Sequence, residues 1–200
     1  MINEDKCLRE IAKGSQDALK DLYDEYSTKV YNTIISYTKN TEDAQEVLQD
    51  VFLSVFETSS KFQFNSSVST WIYRITINKS LDFLRKKNSV KRKGIFTSLF
   101  RNDTQELLHD PADFVHPGVK LENAEDAKLL FRVIDELSEN QKTAFILTQI
   151  DGLSQLEAAD IMEVSRKSVE SLLQRAKANL RGALKKYYPE RGKKSTNTSK

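Results

Sequence analysis

The side chains best suited to chemistry in this chain lie in a basic and polar run that begins at Ser165. A helix predicted there displays groups that can donate to or accept from the edges of DNA bases. These groups belong to Ser165, Arg166, Lys167, Ser168, Glu170, Ser171, Gln174 and Arg175. Val169, Leu172, Leu173, Ala176 and Leu180 form the opposite, apolar face. This spacing predicts an amphipathic helix whose polar face is free to meet another molecule.

A second, shorter amphipathic helix precedes this one. Ser154 stands three residues before Glu157, which is the spacing of a capping box, and Ala158, Ile161 and Met162 supply the apolar face. Val164 lies in the turn between the two helices. The pair predicts a helix-turn-helix, a motif whose second helix enters the major groove of DNA. Taken alone, the segment also fits an ordinary helical hairpin with a solvated charged face.

A second group of residues able to contact nucleic acid precedes residue 88. On a predicted helix from about Thr70 to Lys87, one face carries an indole, an amide and two guanidinium groups, which belong to Trp71, Asn78, Arg74 and Arg85. Such groups stack on unpaired bases or form hydrogen bonds with them. The loop before the helix, with Phe62, Phe64 and Asn65, is suited to hold an extruded base. The alternative is that the aromatic residues close a domain core.

An acidic helix is predicted from Thr41 to Thr58. Its apolar stripe consists of Ala44, Val47, Leu48, Val51, Phe52 and Val55. The opposite face carries Glu42, Glu46, Gln49, Asp50, Leu53 and Glu57. A solvated face is the simplest interpretation, but Leu53 in its middle favours a surface for a partner protein.

Composition excludes several classes of protein. The 200 residues carry a net charge of +2, but the acid-free run from Arg85 to Arg101 is strongly basic and the segment from Asp103 to Asp126 is acidic. The single cysteine, Cys7, excludes an internal disulfide and a thiolate zinc site. No metal, cofactor or catalytic cluster can be recognised, so we expect neither an enzyme nor a cofactor. The absence of a long apolar run or a signal peptide predicts a soluble cytoplasmic protein without membrane insertion.

The helical periodicity and the small number of glycines and prolines predict an all-α chain of two small domains. In the first, Leu19, Leu22, Tyr23, Tyr26, Val30, Ile34 and Tyr37 recur at helical spacing. We expect an N-terminal domain at 1–87, a flexible linker at 88–122 with a short helical turn around Thr104 to Leu108, a C-terminal domain with the helix-turn-helix at 123–188, and a disordered tail at 189–200. In the second domain, Ser138 and Gln141 again have capping-box spacing, and Gly152 is placed to end a helix.

Three segments in this order resemble the extracytoplasmic-function group of bacterial sigma factors. They read DAQEVLQDVFLSVFE, WIYRITINKSLDFLRKK and GLSQLEAADIMEVSRKSVESLLQRAKANL. The resemblance covers about Leu19 to Lys87 and Asp135 to Leu184. It implies a helical initiation factor that binds core RNA polymerase, through its clamp helices and flap, and directs it to promoter DNA. The group often has an anti-sigma partner.

The resemblance also implies roles for individual residues. Asp43, Glu46, Gln49, Asp50 and Leu53 would lie at the polymerase clamp helices. Phe62, Phe64, Asn65, Trp71, Arg74, Asn78 and Arg85 would contact the minus-ten strand, and Ser165 to Arg175 would enter the minus-thirty-five groove. The chain departs from the group at Glu170, where a basic residue is usual, at Leu172, where arginine is frequent, and at Phe64 and Asn65, where the group often has Gly and Asp.

The alternative function is a helix-turn-helix activator or repressor that binds duplex DNA without joining polymerase. Such a regulator would carry a ligand pocket or receiver in its first domain, in place of an acidic-faced helix followed by Trp71 and a basic run. A helical enzyme would require a catalytic cluster, which the sequence lacks.

Overall fold

The computed structural model describes residues 2–98 and 124–188, with side chains for 2–89 and 126–188. The elements are α1 (Glu4–Ile11), α2 (Gln16–Thr38), α3 (Thr41–Thr58), a 3-10 turn (Ser59–Lys61), α4 (Val68–Ser98), α5 (Ala124–Asp135), α6 (Glu139–Phe145), a π-helical turn (Ile146–Ile150), α7 (Gln155–Met162) and α8 (Arg166–Leu184). The described residues contain helices in two regions and no strand, which confirms the all-α prediction. The turn predicted near Thr104 and the tail after Pro189 lie outside these residues.

Short polar side chains begin most of the helices. Asn3, Ser15, Asn40, Ser154 and Ser165 each accept a hydrogen bond from the backbone amide three residues later. Ser154 and Glu157 form the predicted capping box, with both reciprocal bonds. The capping box predicted at Ser138 is wrong, because Ser138 makes no side-chain cap. Gln141, its expected partner, instead accepts a 3.1 Å hydrogen bond from Asn179 on α8.

The N-terminal core is formed by α1 to α4. All six residues of the apolar stripe predicted on α3 are buried there, against Leu8, Ile11, Leu22 and Ile72. Tyr23, predicted with the apolar face of α2, is 41% exposed, and its ring lies 4.7 Å from Phe52. The α2 stripe is long enough to drift around the helix, so Tyr23 ends at the edge of the core.

Helix α4 extends further than the sequence pattern predicted. The expected helix ended near Lys87, whereas α4 continues to Ser98, through the predicted domain boundary. The added residues lack apolar periodicity, but Lys and Arg are good helix formers and no glycine interrupts them before Gly94. Helix propensity therefore extends α4 beyond the residues that have an apolar pattern. The limits of the two domains stay a prediction.

The C-terminal helices α5 to α8 pack around Phe131, Ile134, Leu137, Ala176 and Leu180. Gly152, with φ +75°, follows the π-helical turn and provides the left-handed residue that ends it, as predicted. The next residues lead into α7, so this one glycine sets the direction of the helix-turn-helix.

The two helical regions share part of their core. Tyr73 and Ile77 of α4 are buried in a cluster with Leu147, Ala158 and Leu173 of the C-terminal region. The C-terminal domain is therefore docked on α4, and the face of α4 that it covers lies beside the face predicted to contact nucleic acid.

Candidate nucleic-acid and partner-protein surfaces

The exposed side of α8 carries most of the residues predicted to contact base edges. Arg166, Lys167, Ser168, Glu170, Gln174 and Arg175 are exposed, and Ser171 is half-buried. Val169, Leu173 and Ala176 are buried on the opposite side, while Leu172 is only partly buried. Ser165 is already engaged, because its hydroxyl accepts a 3.1 Å hydrogen bond from the Ser168 amide and lies 2.8 Å from the Ser168 hydroxyl.

Glu170 stands apart from its basic neighbours. Its carboxylate is exposed, and within the described residues it forms no hydrogen bond or ion pair. Lys167 and Gln174, one turn to either side, were its natural partners on the same helix. The carboxylate is therefore available to a ligand on the polar face of α8.

An aromatic cluster lines the loop between α3 and α4. The Phe62 ring lies 4.9 Å from Trp71 and 4.8 Å from Phe64, measured between ring centroids. Beside it is an open cavity of about 280 Å³, lined by Lys61, Phe62, Gln63, Asn65, Trp71 and Arg74, among others. Trp71 and Phe62 also pack against the N-terminal core, so the structural and the ligand-binding interpretations apply to the same rings.

Both arginines predicted on this face of α4 contact the C-terminal domain. Arg74 donates from Nε and Nη2 to the Asp160 carbonyl, at 3.2 and 2.6 Å, and its Nη1 lies 3.0 Å from Glu163. Arg85 pairs with Glu139 at 2.7 Å as well as with Asp82 on its own helix. Asn78 remains exposed. When the domains are docked, the guanidinium groups of Arg74 and Arg85 are thus bound by residues of the C-terminal domain.

Buried polar contacts join the two domains in addition to the apolar contact that Tyr73 and Ile77 make with the C-terminal region. We use the name polar seam for Thr33 and Tyr37 of α2 and Lys39, directly after its end, with their partners in the C-terminal domain. Thr33 donates to Asp151 at 2.8 Å, Tyr37 donates to Thr143 at 2.9 Å, and Lys39 donates to the Phe131 carbonyl at 3.0 Å. Lys39 and Lys142 also pair with Asp135. No local pattern predicts the contacts of Thr33, Tyr37 and Lys39, because they join residues about a hundred positions apart.

The outward side of α3 combines apolar and acidic groups. Leu53 is 55% exposed, and Phe56, one turn further on, is exposed as well. Tyr23 of α2, whose ring lies 4.7 Å from that of Phe52, is also exposed. Gln49, Asp50, Glu46 and Glu57 surround them and are exposed. Leu53, Phe56 and Tyr23 are named the α3 patch below. Asp43, predicted on this surface, is instead largely covered and pairs with Lys87 of α4.

Phe56 and Tyr23 were missed as surface residues. Phe56 had a detectable signal, because it falls off the buried stripe of α3 and stands three residues from Leu53. Tyr23 had none, since it fits the apolar periodicity of α2.

Comparison with known families assigns both halves of the chain. Residues 22–90 match the model of sigma-70 region 2, and residues 127–180 match that of sigma-70 region 4. The chain belongs to the extracytoplasmic-function group of bacterial sigma factors. It is a specificity factor for transcription initiation by RNA polymerase, as the resemblance implied.

Individual relatives are similar over most of this sigma factor. It is 27% identical to the ECF RNA polymerase sigma factor SigW of Bacillus subtilis over 183 residues, covering 90% of this chain and 96% of the relative. It is also 27% identical to the ECF RNA polymerase sigma-E factor of Escherichia coli, covering 84% and 86% of the two chains.

Two solved structures have a similar fold. One is CnrH in complex with the cytosolic domain of CnrY, with a TM-score of 0.65, 21% identity, and coverage of 92% of this chain and 97% of that one. The other is the sigma factor RpoE of Bartonella quintana in complex with the anti-sigma factor NepR, with a TM-score of 0.58, 20% identity, and coverage of 83% and 98%.

In the part of the chain that the structure describes, the His, Cys, Asp and Glu residues form no group that could hold a metal ion. Within the same residues, no helix has the length and apolar character needed to cross a membrane.

The polar seam makes docking of the two domains depend on pH. Burial raises the pKa of Asp151 to about 7, from an ordinary 3.8, although the Thr33 hydrogen bond acts in the opposite direction. The Asp151 carboxyl therefore holds its proton more tightly in the docked state than when the domains are apart. Because the proton is lost as pH rises, docking should weaken between about pH 4 and pH 7. Burial lowers the pKa of Lys39 to about 7 and that of Lys142 to about 8, so the lysines titrate above this window.

We expect the docking equilibrium to change by up to about tenfold per pH unit below pH 7. The radius of gyration from small-angle scattering of the full chain measures it. Asp151→Asn should stay docked and lose this dependence, whereas Glu136→Gln removes an equal charge from the exposed surface and should keep it. An unchanged pH profile in Asp151→Asn would contradict the assignment.

Proposed function

We propose that this sigma factor captures a single strand of the minus-ten element in the aromatic cavity of its first domain. The observation that carries the proposal is the cluster of Phe62 and Trp71 beside an open cavity, with Arg74 on its wall. Aromatic faces bind unpaired bases by stacking, and cations bind the adjacent phosphates. Asn65 and Asn78 supply amides for base edges, and Phe64 and Arg85 extend the surface on either side.

Promoter binding requires the docked domains to separate. The minus-ten and minus-thirty-five elements are roughly 25 base pairs apart, or about 85 Å at 3.4 Å per base pair. In the docked state the helix-turn-helix touches α4, with Asp160 at 2.6 Å from Arg74. About 25 residues lie between α4 and α5, and an extended chain of that length spans at most about 80–90 Å. Separation of the domains is therefore compatible with covalent reach, and it releases Arg74 for DNA.

Docking and strand capture should therefore compete in the free protein. Neither Thr33 nor Asp151 lines the cavity. Thr33→Val removes the hydrogen bond to Asp151 and should favour separation, whereas Asp151→Asn should favour docking. With a randomised single-stranded DNA pool as the probe, fluorescence anisotropy should give tighter binding for Thr33→Val and weaker binding for Asp151→Asn than for wild type.

These differences should disappear in the complex with core RNA polymerase, where the domains are already apart. Equal affinity of all three free proteins for the pool, despite different radii of gyration, would show that docking does not hinder strand capture.

We propose that the α3 patch binds core RNA polymerase at its clamp helices, with the C-terminal domain at the flap. Three large apolar side chains exposed on one surface are typical of a contact surface for another protein. The nearby Glu46, Gln49, Asp50 and Glu57 would favour a basic partner. Asp43 contributes indirectly, because its pair with Lys87 fixes α3 against α4.

Charge reversal at Asp50 together with Leu53→Ala should weaken core binding by about tenfold or more, since Leu53 belongs to the patch, Asp50 borders it, and both side chains are solvent-exposed. The free energy of unfolding should change by less than about 1 kcal/mol, because neither is part of the core. Glu136→Lys, an exposed reversal in the other domain, is the matched control. Affinity measured by fluorescence anisotropy with labelled sigma factor tests this, and a folded double variant with wild-type affinity would exclude the patch.

We propose that α8 reads the minus-thirty-five element, with Ser165 to Arg175 at the major groove. Arg166, Lys167 and Arg175 supply phosphate or guanine contacts. Glu170 has no partner among the described residues, so its carboxylate can accept a hydrogen bond, most naturally from a cytosine amino group.

Glu170→Gln should change the preferred base at one minus-thirty-five position, and Glu170→Lys should also raise non-specific affinity and steepen the salt dependence by about one unit of slope. Lys177→Gln is the control, because loss of an exposed cation further along α8 should weaken binding to all sequences alike. Selection from random duplexes by the holoenzyme decides, and identical preferred sites for wild type and Glu170→Gln would show that Glu170 reads no base.

We further propose that the protein acts in the cytoplasm without catalytic activity of its own, and that an anti-sigma factor controls it. One protein with a similar fold, the sigma factor RpoE, is in complex with the anti-sigma factor NepR, and another, CnrH, is in complex with the cytosolic domain of CnrY. The exposed α3 patch is a surface for which polymerase and an inhibitor would compete. Co-purification with core polymerase, followed by promoter-dependent transcription, tests the whole assignment.

A further inference from the structure

Phe64 adopts a backbone conformation that a bulky residue rarely takes. Its φ is +57°, in the left-handed region. The other two non-glycine residues with positive φ among those described, Lys39 and Glu163, each end a helix, where this conformation is common. Phe64 lies in the middle of the loop that forms the aromatic cavity. Strain of this kind persists only where surrounding contacts hold it.

Two contacts hold the Phe64 ring. On one side, Phe62 meets it edge-to-face at 4.8 Å between centroids. On the other, the guanidinium of Arg9 lies over the ring, with Cζ at 4.1 Å from the centroid. Arg9 comes from α1, more than fifty residues earlier in the chain. The strained loop is thus clamped between its own Phe62 and a cation from the first helix.

Helix α1 is fixed firmly enough to act as the clamp. Leu8 and Ile11 are fully buried in the N-terminal core, and the Cys7 thiol donates to the Ala18 carbonyl at 2.9 Å. Asn3 caps the helix by accepting from the Lys6 amide. The helix lies outside residues 22–90, which match sigma-70 region 2, so it is an addition to the part of the domain that this family model describes.

The clamped rings separate two cavities. Phe62 lines both the cavity of about 280 Å³ next to Trp71 and a larger open cavity of about 710 Å³ beneath α1. Phe64 and Arg9 line only the larger one among these two. The position of the ring pair therefore sets the width of the smaller cavity, where Trp71 and Asn65 would receive a base.

We propose that Arg9 is a positioning residue for base capture. By stacking on Phe64 it holds the loop in its left-handed turn, keeps Phe62 against Trp71, and thereby fixes the shape of the pocket that selects the base. This inference rests on the proposed capture of the minus-ten strand. Arg9 acts through Phe64 and need not touch DNA, and this distinguishes it from a general attraction between a surface cation and phosphate.

The chain offers a matched control for that general attraction. Lys13 lines the same cavity, one turn after Arg9, but pairs with Glu10 at 2.8 Å, and no contact joins it to the Phe64 ring. Arg9 lies in α1 and Lys13 directly after its end, and Lys13→Gln and Arg9→Gln each remove one positive charge from the lining of the same cavity. Arg9→Lys keeps the charge but loses the flat guanidinium, and Phe64→Gly accepts φ +57° without strain while removing the ring.

The experiment uses the full chain bound to core polymerase and a randomised single-stranded DNA pool, with a duplex pool for comparison. Affinity is measured by anisotropy, and base preference by sequencing the retained strands. Acrylamide quenching of Trp71 is measured on the free sigma factor, where it is the single tryptophan, and reports the order of the loop.

Arg9→Gln should weaken strand binding roughly two- to fivefold, the loss expected for an exposed cation–π contact, broaden base preference at the captured position and increase Trp71 quenching. Arg9→Lys should recover part of each effect. Lys13→Gln should lower affinity without changing base preference or quenching. In a Phe64→Gly background, Arg9→Gln should add nothing to base preference or quenching.

Three outcomes would overturn the proposal. Arg9→Gln and Lys13→Gln could have equal effects, which would leave only a charge effect. Arg9→Gln could have its full effect in the Phe64→Gly background, which would show that Arg9 does not act through Phe64. Base preference could also be unchanged in Arg9→Gln. If instead wild type shows no preference for the single-stranded over the duplex pool, minus-ten strand capture itself fails and this inference fails with it. A wild-type preference combined with an inert Arg9→Gln rejects the role of Arg9 alone.

Discussion

The contact on which this structure depends is the burial of Tyr73 and Ile77 of α4 in the core of the C-terminal domain. These side chains would be solvent-exposed on an isolated first domain, so docking removes apolar surface from water and drives the association. The hydrophobic effect is non-directional, however, and does not by itself fix how the domains meet. The polar seam does, because Thr33, Tyr37 and Lys39 each find one partner at hydrogen-bonding distance, and misalignment would leave buried groups unpaired.

The same seam is the reason that we expect docking to be reversible. Asp151 and Lys142 are buried at a boundary where the charged form of each is disfavoured, as their shifted pKa values indicate. Burial of such groups costs free energy that their hydrogen bonds offset only in part. A domain contact made of a modest apolar patch and a costly polar seam is specific without being strong, which suits a protein whose two proposed DNA-binding surfaces would act far apart.

On the proposed nucleic-acid surfaces, some polar side chains already bind other parts of the protein and others have no partner among the described residues. Arg74 and Arg85 are bound by the C-terminal domain in the docked state, and the Ser165 hydroxyl is used as a helix cap. Glu170 and Asn78 are free among the described residues, and the rings of Phe62 and Trp71 border an open cavity. On α4, Asn78 is therefore available at once for base recognition, whereas Arg74 and Arg85 become available when the domains separate.

The sequence alone determined the helices, the capping box at Ser154, the buried stripe of α3 and the family, because these depend on local spacing and on short motifs. It also indicated the aromatic loop and the polar face of α8, since residue type limits what such faces can bind. Tertiary structure alone decided that Gln141 reaches α8 rather than Ser138, that Asp43 is covered by Lys87, that Tyr23 is exposed, and that Arg9 stacks on Phe64. Each of these joins residues distant in sequence, and no periodicity encodes which surfaces meet when helices pack. The local pattern thus specifies what each helix can offer, and the packing of the two domains decides which of those groups remain free.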